Sequence, residues 1–418
     1  MAGPGSLGEG VRNLRGKPGR MINRDSILDW AIIGGGIHGT YLANTLIRQR
    51  VAGRSDLRVI DPHGKPLHQW KKVTASVGME YLRSPKVHHL DLEPFSLKHY
   101  AQCERFEDKM YITPNDRPSL KLFNDHTDSV IETSGLNEIY RKGYALNIEW
   151  SCDHAVITTD HEVIRAKKVI LAIGQGGSAN WPEWAKDAAL EGAAICHVLE
   201  GAYCREQIPE SGEVVVVGGG MSAVQTALSI ADENRHVTLL SPHSLRQNNY
   251  DSDPGWMGPK YLNRFREISC LRKRRRIINE ARNSGSITHD LKWELIKSQN
   301  KNECSLIIDT VRSCSVLTND LLLLNLKSGE TLAANHIVLA TGYENERPGG
   351  RLIDRLISKY DLKCSECGFP ITDTSLQWYE NLYVSGGLAE LEVGPASRNI
   401  VGARMAARKI LNMTENNF

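Results

Sequence analysis

Two glycine-rich fingerprints constrain what this chain can fold into more than any other feature of its sequence. Gly34, Gly36 and Gly39 lie in A-I-I-G-G-G-I-H-G, and Gly218, Gly220 and Ala223 lie in V-V-G-G-G-M-S-A. Each fingerprint follows an apolar run typical of a buried parallel strand and opens a helix-like segment. Such glycines permit a tight turn and let the backbone approach a pyrophosphate, which the start of the helix then binds. The repetition predicts two dinucleotide sites in one chain.

Length and composition indicate a globular protein of two or three domains, because 418 residues are too many for one ordinary core. The formal net charge of +2 gives no reason to expect a nucleic-acid partner or strong attraction to a membrane. No stretch approaches the roughly 18 apolar residues that span a bilayer. We therefore expect a cytoplasmic protein that acts on a small molecule. Its oligomeric state stays open, and a homo-oligomer is compatible with the sequence.

The cysteines favour neither a disulfide framework nor a metal site. There are nine, an odd number scattered along a long chain. Cys364 and Cys367 form the one C-x-x-C, and no second such pair or suitable Cys/His pair completes a zinc set. We expect a surface turn at this pair, with a redox role as the alternative.

The first fingerprint begins a pattern of alternating strands and helices. A strand is expected at Ala31–Ile33, a helix at about Ile37–Arg48 and a second strand at Leu57–Ile60. That second strand ends at Asp61, where an acid can accept hydrogen bonds from a ribose. A simple turn before Pro62 is the alternative, and the upstream glycines favour the ribose role.

The segments downstream of the two fingerprints are alike, which indicates a weak internal duplication. Residues 63–129 show no clear repeating pattern, whereas Val130–Thr159 alternates as in a small antiparallel meander. Lys168–Gly177 then has the pattern of a buried strand ending in glycine, in K-V-I-L-A-I-G-Q-G-G. His336–Glu344, in H-I-V-L-A-T-G-Y-E, repeats that form after the second fingerprint.

These elements predict an α/β fold with two Rossmann-like dinucleotide-binding domains, the second inserted in the first. The second unit has a strand at Val237–Leu240 and a helix-like segment at Leu262–Gln299, whose basic run Arg272–Arg276 is typical of a solvated face. A strand at Leu382–Ser385 and a final helix from about Pro395 to Leu411 close the chain. The expected domains are a disordered extension at 1–24, an FAD-binding domain at 25–211 and 336–418, and an NADPH-binding domain at 212–335.

The end of the second unit's second strand favours NADPH over NADH. A carboxylate there suits the free 2′-hydroxyl of NAD, whereas basic groups suit a 2′-phosphate. The strand runs into Ser241, His243 and Arg246, with no acid before Asp251. Arg246 can bind phosphate through two donors and Ser241 can donate to it. A purely surface role for Arg246 is the alternative.

The order of these motifs resembles the flavin-dependent N-hydroxylating monooxygenases, the ornithine and lysine hydroxylases of siderophore biosynthesis. V-V-G-G-G-M-S-A is similar to that family's V-V-G-G-G-Q-S-A, and R-Q-N-N-Y-D, at Arg246–Asp251, resembles its Asn-containing segment. L-A-T-G-Y matches a family motif, and D-P-H-G-K-P-L-H-Q-W resembles the acid-and-Trp segment. With the glycine-rich final turn, the resemblance adds these residues to the expected cofactor sites: Trp70, Ser222, Asn249, Thr341, Gly342, Tyr343, Gly387, Gly394 and Ala396.

The chain also departs from that family. The first fingerprint lacks the family's usual proline and has His38 as a new residue, and the chain is somewhat shorter than typical members. Lys86 and Asn249 are the candidates for contact with a substrate. Catalytic residues are not identifiable from the sequence.

The resemblance implies an FAD- and NADPH-dependent oxidoreductase. In such enzymes NADPH reduces FAD, and O2 then forms a C4a-hydroperoxide that oxygenates a small nucleophile, with amines as one class. The final helix would direct its N-terminus, near Gly394–Ala396, at the flavin. His88 and His89 are either close to the flavin ring or solvated loop residues. A disulfide or electron-transfer reductase is the alternative enzyme, and a non-catalytic flavin sensor is the alternative without turnover.

Overall fold

The computed structural model describes residues 27–104, 110–113, 115–175, 179–233, 235–318 and 321–412. The extension expected at 1–24 lies outside these residues. No helix within the described ranges is long and apolar enough to cross a membrane.

The described residues form strands that alternate with helices in the first half of each unit. The strands are β1 Leu28–Ile33, β2 Leu57–Asp61, β3 Tyr111–Ile112, β4 Arg117–Pro118, β5 Tyr140–Lys142, β6 Ala145–Ser151, β7 His154–Thr159, β8 Val163–Leu171, β9 Ile195–His197, β10 Val214–Val217, β11 Val237–Ser241, β12 Arg246–Gln247, β13 Ser286–Ile287, β14 Cys304–Ile308, β15 Val311–Thr318, β16 Leu321–Leu326, β17 Thr331–Ala334, β18 His336–Leu339, β19 Gln377–Tyr379 and β20 Leu382–Val384. The α-helices are α1 Ile37–Arg48, α2 His68–Ser76, α3 Ser96–Cys103, α4 Leu120–Thr133, α5 Glu183–Leu190, α6 Met221–Ala231, α7 Pro259–Arg266, α8 Leu271–Ala281, α9 His289–Asn300, α10 Gly350–Tyr360, α11 Glu390–Val393 and α12 Ile400–Ile410.

The first sheet is built around β1, whose residues other than Asp29 are apolar and buried, as is typical of a central parallel strand. Its strand order is β19-β20-β8-β1-β2-β5. In addition, β7 of the β6–β7 hairpin pairs with the N-terminal part of β8. Strands β20, β8, β1, β2 and β5 run parallel, with Ile32 of β1 opposite Val59 and Ile170. We call the described residues of 27–175 and 350–412, which contain this sheet, the first unit.

The second sheet is entirely parallel, in the order β14-β11-β10-β18-β9. Val216 at its centre lies opposite Leu239 and Val338, and all three side chains are fully buried. We call the described residues of 195–339 the second unit. Strands of the first sheet precede and follow this unit in the chain.

Strand pairing places the limits of the second unit differently from the predicted boundaries at 212 and 335. Both β9 and β18 were expected in the FAD-binding domain, but they pair with the second sheet. The reason is that the strand after each antiparallel meander pairs with the strand that precedes the glycine fingerprint of the same unit. β18 lies against β10 in this way, as β8 lies against β1.

Two predictions of secondary structure, one for a helix and one for a meander, also differ from the structure. The segment expected as one helix at Leu262–Gln299 contains α7, α8, β13 and α9. It is interrupted before α9 by Gly285, whose φ of +64° is incompatible with a continuing helix. The meander expected from Val130 begins only at Tyr140, because α4 extends to Thr133 after an N-cap at Ser119, whose Oγ accepts from Leu122 N at 3.2 Å.

The two units are joined by a buried cluster of charges around Glu390, whose side chain has no solvent exposure. Arg282 Nη2 and Arg398 Nε lie 2.7 and 2.9 Å from Glu390 Oε2, and Arg275 Nη1 contacts Oε1. Arg275 and Arg282 belong to the second unit, whereas Glu390 and Arg398 belong to the first. Burial lowers the pKa of Arg282 to about 9 and that of Arg398 to about 10. The carboxylate thus offsets part of the repulsion among three desolvated guanidiniums.

Glu390→Gln should strongly destabilise the protein, because it leaves one buried guanidinium and two half-buried ones without this counter-charge. Breaking a buried ion pair by removing one partner costs about 3–5 kcal/mol. Glu366→Gln is the control, since Glu366 also binds an arginine of α8, Arg272, but both side chains are largely exposed. Urea unfolding followed by circular dichroism should give a lower midpoint for the first variant and a near-normal midpoint for the second. Equal midpoints would contradict a stabilising role of the Glu390 cluster.

Candidate dinucleotide-binding sites

The first fingerprint uses its three glycines for two different purposes. A Cβ at Gly34, where φ is +107°, would lie 2.5 Å from the carbonyl oxygen of Ala172. A Cβ at Gly39 would lie 1.8 Å from the carbonyl oxygen of Gly34, so the backbone of α1 touches the turn itself. A Cβ at Gly36 would meet no protein atom within 4 Å. Two glycines therefore serve packing, and Gly36 faces open space at the start of α1.

The second fingerprint repeats this construction except at Gly220, where a Cβ would lie 3.4 Å from the Cα of Gly285 instead of in open space. A Cβ at Gly218 would lie 2.4 Å from the carbonyl oxygen of Ala340 and 3.0 Å from the Cβ of Ala223. Gly220 is the N-cap of α6, and Ser222 is half-buried in its first turn. Neither α1 nor α6 has a side-chain cap or an acidic residue in its first turn. Both helices therefore present uncompensated N–H groups, which suit an anionic pyrophosphate.

Asp61 lies beside the first fingerprint, as its position at the end of β2 predicts. Its Oδ2 accepts a hydrogen bond from Gly35 N at 2.8 Å, and its Oδ1 accepts one from His63 N at 2.9 Å. Each carboxylate oxygen has a further lone pair, so a ribose hydroxyl can still bind. Trp70 has a packing role, since its ring contacts Phe123 and its Nε1 donates to Asn124 Oδ1 at 3.3 Å.

The residues expected to bind a 2′-phosphate divide into one that is exposed and one that is not. Ser241 is fully buried, and its hydroxyl donates to the carbonyl oxygen of His243 at 2.7 Å. Its proton is thus unavailable to a phosphate. Arg246 is exposed, and its Nη2 donates to His243 Nε2 at 3.2 Å while His243 Nδ1 lies 3.0 Å from the carbonyl oxygen of Ser244. His243 packs beside Gly219, where a Cβ would lie 2.8 Å from its Cε1.

The L-A-T-G-Y motif connects β18 to the segment after β8. Asn180 N donates to the carbonyl oxygen of Gly342 at 2.9 Å, and Thr341 Oγ1 donates to the carbonyl oxygen of Asn180 at 2.5 Å. Tyr343 forms a backbone bridge with Ala179, and burial raises the pKa of its phenol. The motif thus links the end of β18, in the second sheet, to the chain segment that follows β8, in the first sheet.

The C-terminal turn is tightly packed, but its helix begins later than predicted. Residues Pro395–Arg398 form a 3-10 turn, and α12 starts at Ile400 with Asn399 as its N-cap. Gly387 and Ala396 are buried, and Gly394 has a φ of +93°. A Cβ at Gly402 would lie 2.4 Å from the carbonyl oxygen of Ala396, so the helix folds back on this turn.

His38 joins the first fingerprint to this C-terminal turn, a contact that sequence patterns did not reveal. Its Nδ1 lies 2.8 Å from Ser385 Oγ, and both residues are buried. Burial lowers the pKa of His38 to about 4, so the ring is neutral at physiological pH. One sign of this contact was present in the sequence, since His38 departs from the first fingerprint of the family that the chain resembles.

His88 and His89 are not solvated loop residues. His89 is fully buried, and its Nε2 lies 3.1 Å from the carbonyl oxygen of Pro94. Burial, reinforced by the charge of Arg404, lowers the pKa of His88 to about 4 and that of His89 to about 3. Both are therefore neutral at physiological pH, His89 as a residue of the interior and His88 as a half-buried one.

The two candidates for substrate contact are far from equivalent. Lys86 forms an ion pair with Asp116 at 2.5 Å, so its charge already has a partner. Asn249 lines a cleft of about 410 Å³ in the second unit. The other residues of this cleft are polar or aromatic for the most part: Asn248, Tyr250, Ser252, Asp253, Pro254, Trp256, Tyr261, Ala281 and Asn283.

Cys364 and Cys367 lie in a surface turn, as the sequence predicts. Ser365 N donates to the carbonyl oxygen of Phe369 at 2.9 Å, and Gly368 N donates to that of Ser365 at 2.8 Å. Both thiols are free; Cys367 is exposed and Cys364 is half-buried, with a pKa raised mainly by burial. Cys196 and Cys304 have pKa values raised by burial to about 12 and about 11, which makes them unreactive.

The model of the pyridine nucleotide-disulphide oxidoreductase family matches residues 31–306, more than half of the chain. The chain belongs to this family. Its fold is thus that of an oxidoreductase with two dinucleotide-binding units, in agreement with the paired fingerprints. No curated protein matches the sequence.

Solved structures of similar fold include two ornithine hydroxylases and a lysine monooxygenase. The ornithine hydroxylase PvdA from Pseudomonas aeruginosa is 17% identical, with a TM-score of 0.71 over 93% of this chain and 98% of that one. The Kutzneria ornithine N-hydroxylase KtzI, described with reduced FAD, NADP+ and L-ornithine, is 14% identical, with a TM-score of 0.68 over 93% and 98%. The L-lysine 6-monooxygenase from Pseudomonas syringae is 18% identical, with a TM-score of 0.68 over 92% and 98%. The likeness confirms the predicted fold class.

Substitutions in the first fingerprint should separate its packing glycine from its ligand-facing glycine. Gly39→Ala should lower the free energy of unfolding of the ligand-free protein by about 1–3 kcal/mol, because the added Cβ meets backbone. Gly36→Ala should leave that free energy nearly unchanged but reduce retention of the bound dinucleotide. Thermal melting of stripped protein and absorbance of the purified protein measure the two effects. A destabilised Gly36→Ala variant would show that this glycine is not facing open space.

Proposed function

We propose that this protein is an FAD- and NADPH-dependent monooxygenase. The first fingerprint would hold FAD, and the second would hold NADPH. One atom of O2 would go to a small nucleophilic substrate and the other to water, with NADPH supplying the two electrons. A cytoplasmic place of action and an amine as substrate belong to this proposal.

The observation that carries the proposal is the pair of equivalent helix starts, one in each unit. Gly36 and Gly220 open α1 and α6, and in both units the first glycine of the fingerprint touches the backbone just after the returning strand, which supports two pyrophosphate sites of similar design. A chain with two such sites suits a hydride donor and a flavin. Two of the similar structures are ornithine hydroxylases, and one of these holds FAD and NADP+ together.

The residues of the first unit would bind and orient the flavin nucleotide. The N–H groups at the start of α1 would bind its pyrophosphate, and Asp61 would accept from its ribose. The start of α12, near Asn399, would place a positive dipole end on the flavin side of the C-terminal turn, which contains Gly387, Gly394 and Ala396. When bound, FAD takes the hydride from NADPH and supplies the chemistry of oxygen transfer.

The residues of the second unit would bind the hydride donor and admit the substrate. The start of α6, with Gly218, Gly220, Ser222 and Ala223, would bind the NADPH pyrophosphate. Arg246 would bind the 2′-phosphate, with His243 orienting its guanidinium. The cleft lined by Asn249 offers amide and carboxylate groups to a polar substrate. Thr341, Gly342 and Tyr343 would help to fix the position of one nucleotide site relative to the other.

Arg246→Ala should reduce the preference for NADPH over NADH. Losing a charged contact to phosphate weakens binding by roughly 10- to 100-fold, and NADH lacks that phosphate. Rates of flavin reduction at a series of NADPH and NADH concentrations measure the preference. An equal loss for both nucleotides would show that Arg246 does not contact the 2′-phosphate.

Oxygen uptake tests the proposed reaction against dithiol chemistry. The purified protein should consume O2 when NADPH is added with a panel of amines, amino acids, diamines and thioethers. The variant with both Cys364→Ser and Cys367→Ser should behave like the unaltered protein, because serine keeps the turn but cannot form a disulfide. A disulfide reductase would instead be reduced by NADPH and then stall in the double variant when a disulfide is offered. A flavin sensor would show no turnover in either form.

A further inference from the structure

Arg83 crosses from the first unit to the second and holds the loop after β12. Its Nη1 lies 2.8 Å from Asp251 Oδ1, and its Nη2 lies 2.7 and 2.8 Å from the carbonyl oxygens of Asn248 and Tyr250. The same Nη2 lies 2.8 Å from Ser286 Oγ, in β13. The guanidinium thus binds four groups of the second unit, and its side chain is only 12% exposed.

The groups that Arg83 binds belong to one short ribbon. β12 pairs in parallel with β13, so that Arg246 lies opposite Ser286. Asn248 N donates to the carbonyl oxygen of Ile287 at 2.9 Å, and Asn283 N donates to that of Asp251 at 2.7 Å. Arg83 therefore contacts both sides of the ribbon that carries Arg246.

The ribbon is anchored through β13, whose two residues are buried and whose Ile287 lies in the core of the second unit, and β12 is its weakly held strand. Each of its strands has only two residues, and both residues of β12 are exposed. Two-stranded ribbons of this size are not stable by themselves. Without the guanidinium, the carbonyl oxygen of Asn248 and the carboxylate of Asp251 would lose a charged donor, whereas the carbonyl oxygen of Tyr250 would keep the donor Asn283 Nδ2 at 2.9 Å.

We propose that Arg83 is a positioning residue for nucleotide specificity. It sets the conformation of the β12–β13 ribbon and thereby the place of Arg246 beside the second fingerprint. Arg246 Nη2 would lie 3.1 Å from a Cβ on Gly285, the residue before β13, so its place depends on this ribbon. The inference rests on the proposed NADPH site. It makes selection of the nucleotide depend on contact between the two units.

Arg83→Gln should lower the preference for NADPH over NADH by about 10-fold, since it removes the charged donor that orders the ribbon. Arg83→Lys should have an intermediate effect, because an ammonium can keep the pair with Asp251 but cannot reproduce the planar contacts. The matched control is Arg205→Gln, which breaks a pair with Glu233 elsewhere on the second unit, at 3.1 Å. That control should keep the normal preference.

The combination with Arg246→Ala tests whether Arg83 acts through Arg246. If it does, the double variant should show the same preference as Arg246→Ala alone, because the second change has nothing left to misplace. Additive losses, or a loss of turnover with an unchanged preference in Arg83→Gln, would overturn the inference.

Hydrogen exchange of the nucleotide-free proteins distinguishes failure of this inference from failure of the proposed function. The amides of Asn248 and Asn283 should exchange faster in Arg83→Gln than in the unaltered protein, and at the normal rate in Arg205→Gln. Unchanged exchange of these two amides would overturn the inference that Arg83 holds the ribbon, even if NADPH is the hydride donor. If these amides exchange faster in Arg83→Gln but no nicotinamide nucleotide reduces the protein, then Arg83 does hold the ribbon. Both the NADPH site and the specificity role would be refuted.

Discussion

The close approach of two backbones in each unit is the constraint on which the rest of the structure depends. Gly34 lies against the carbonyl of Ala172, and Gly218 lies against that of Ala340. Neither contact leaves room for a side chain. Each brings the fingerprint turn, the first helix and the returning strand together, and so fixes the direction in which α1 and α6 present their N–H groups. The geometry of the two helix starts, where dinucleotides are proposed to bind, is therefore a consequence of packing within each unit.

Contacts between the units combine charges and hydrogen bonds with apolar packing, including a buried cluster of Phe265 and Ile278 from the second unit with Phe369 and Leu391 from the first. Glu390 binds arginines from both units, Arg83 binds the ribbon after β11, and Arg117 pairs with Asp290 at 2.5 Å. Apolar contact adds to these at Val77, a residue of the first unit that is buried in the core of the second. Charged contacts require specific geometry, so they constrain the relative orientation of the units together with the apolar packing.

The sequence predicted those parts of the molecule that local patterns encode. The fingerprints, the acid at Asp61, the turn at Cys364 and the fold class follow from spacing and periodicity within short segments. The assignment of β9 and β18 depends instead on which sheet each strand joins, and both strands pair with partners more than a hundred residues away in the chain. The buried state of Ser241 and the contact of His38 with Ser385 could not be predicted either, because each depends on a side chain's direction. The residue-level assignment of the cofactor sites stays a prediction.

The sharing of elements between the units limits how such a chain can change. The second sheet takes strands from Ile195–His197 to His336–Leu339, and its core includes Val77, which precedes all of them in sequence. A segment cut at the ends suggested by the fingerprints would expose one side of Val214–Val217 and leave a hole where Val77 packs. Neither half of this molecule is a transferable module. Recombination that exchanged one nucleotide unit for another would have to carry strands, and hydrophobic side chains such as Val77, from outside the unit it replaced.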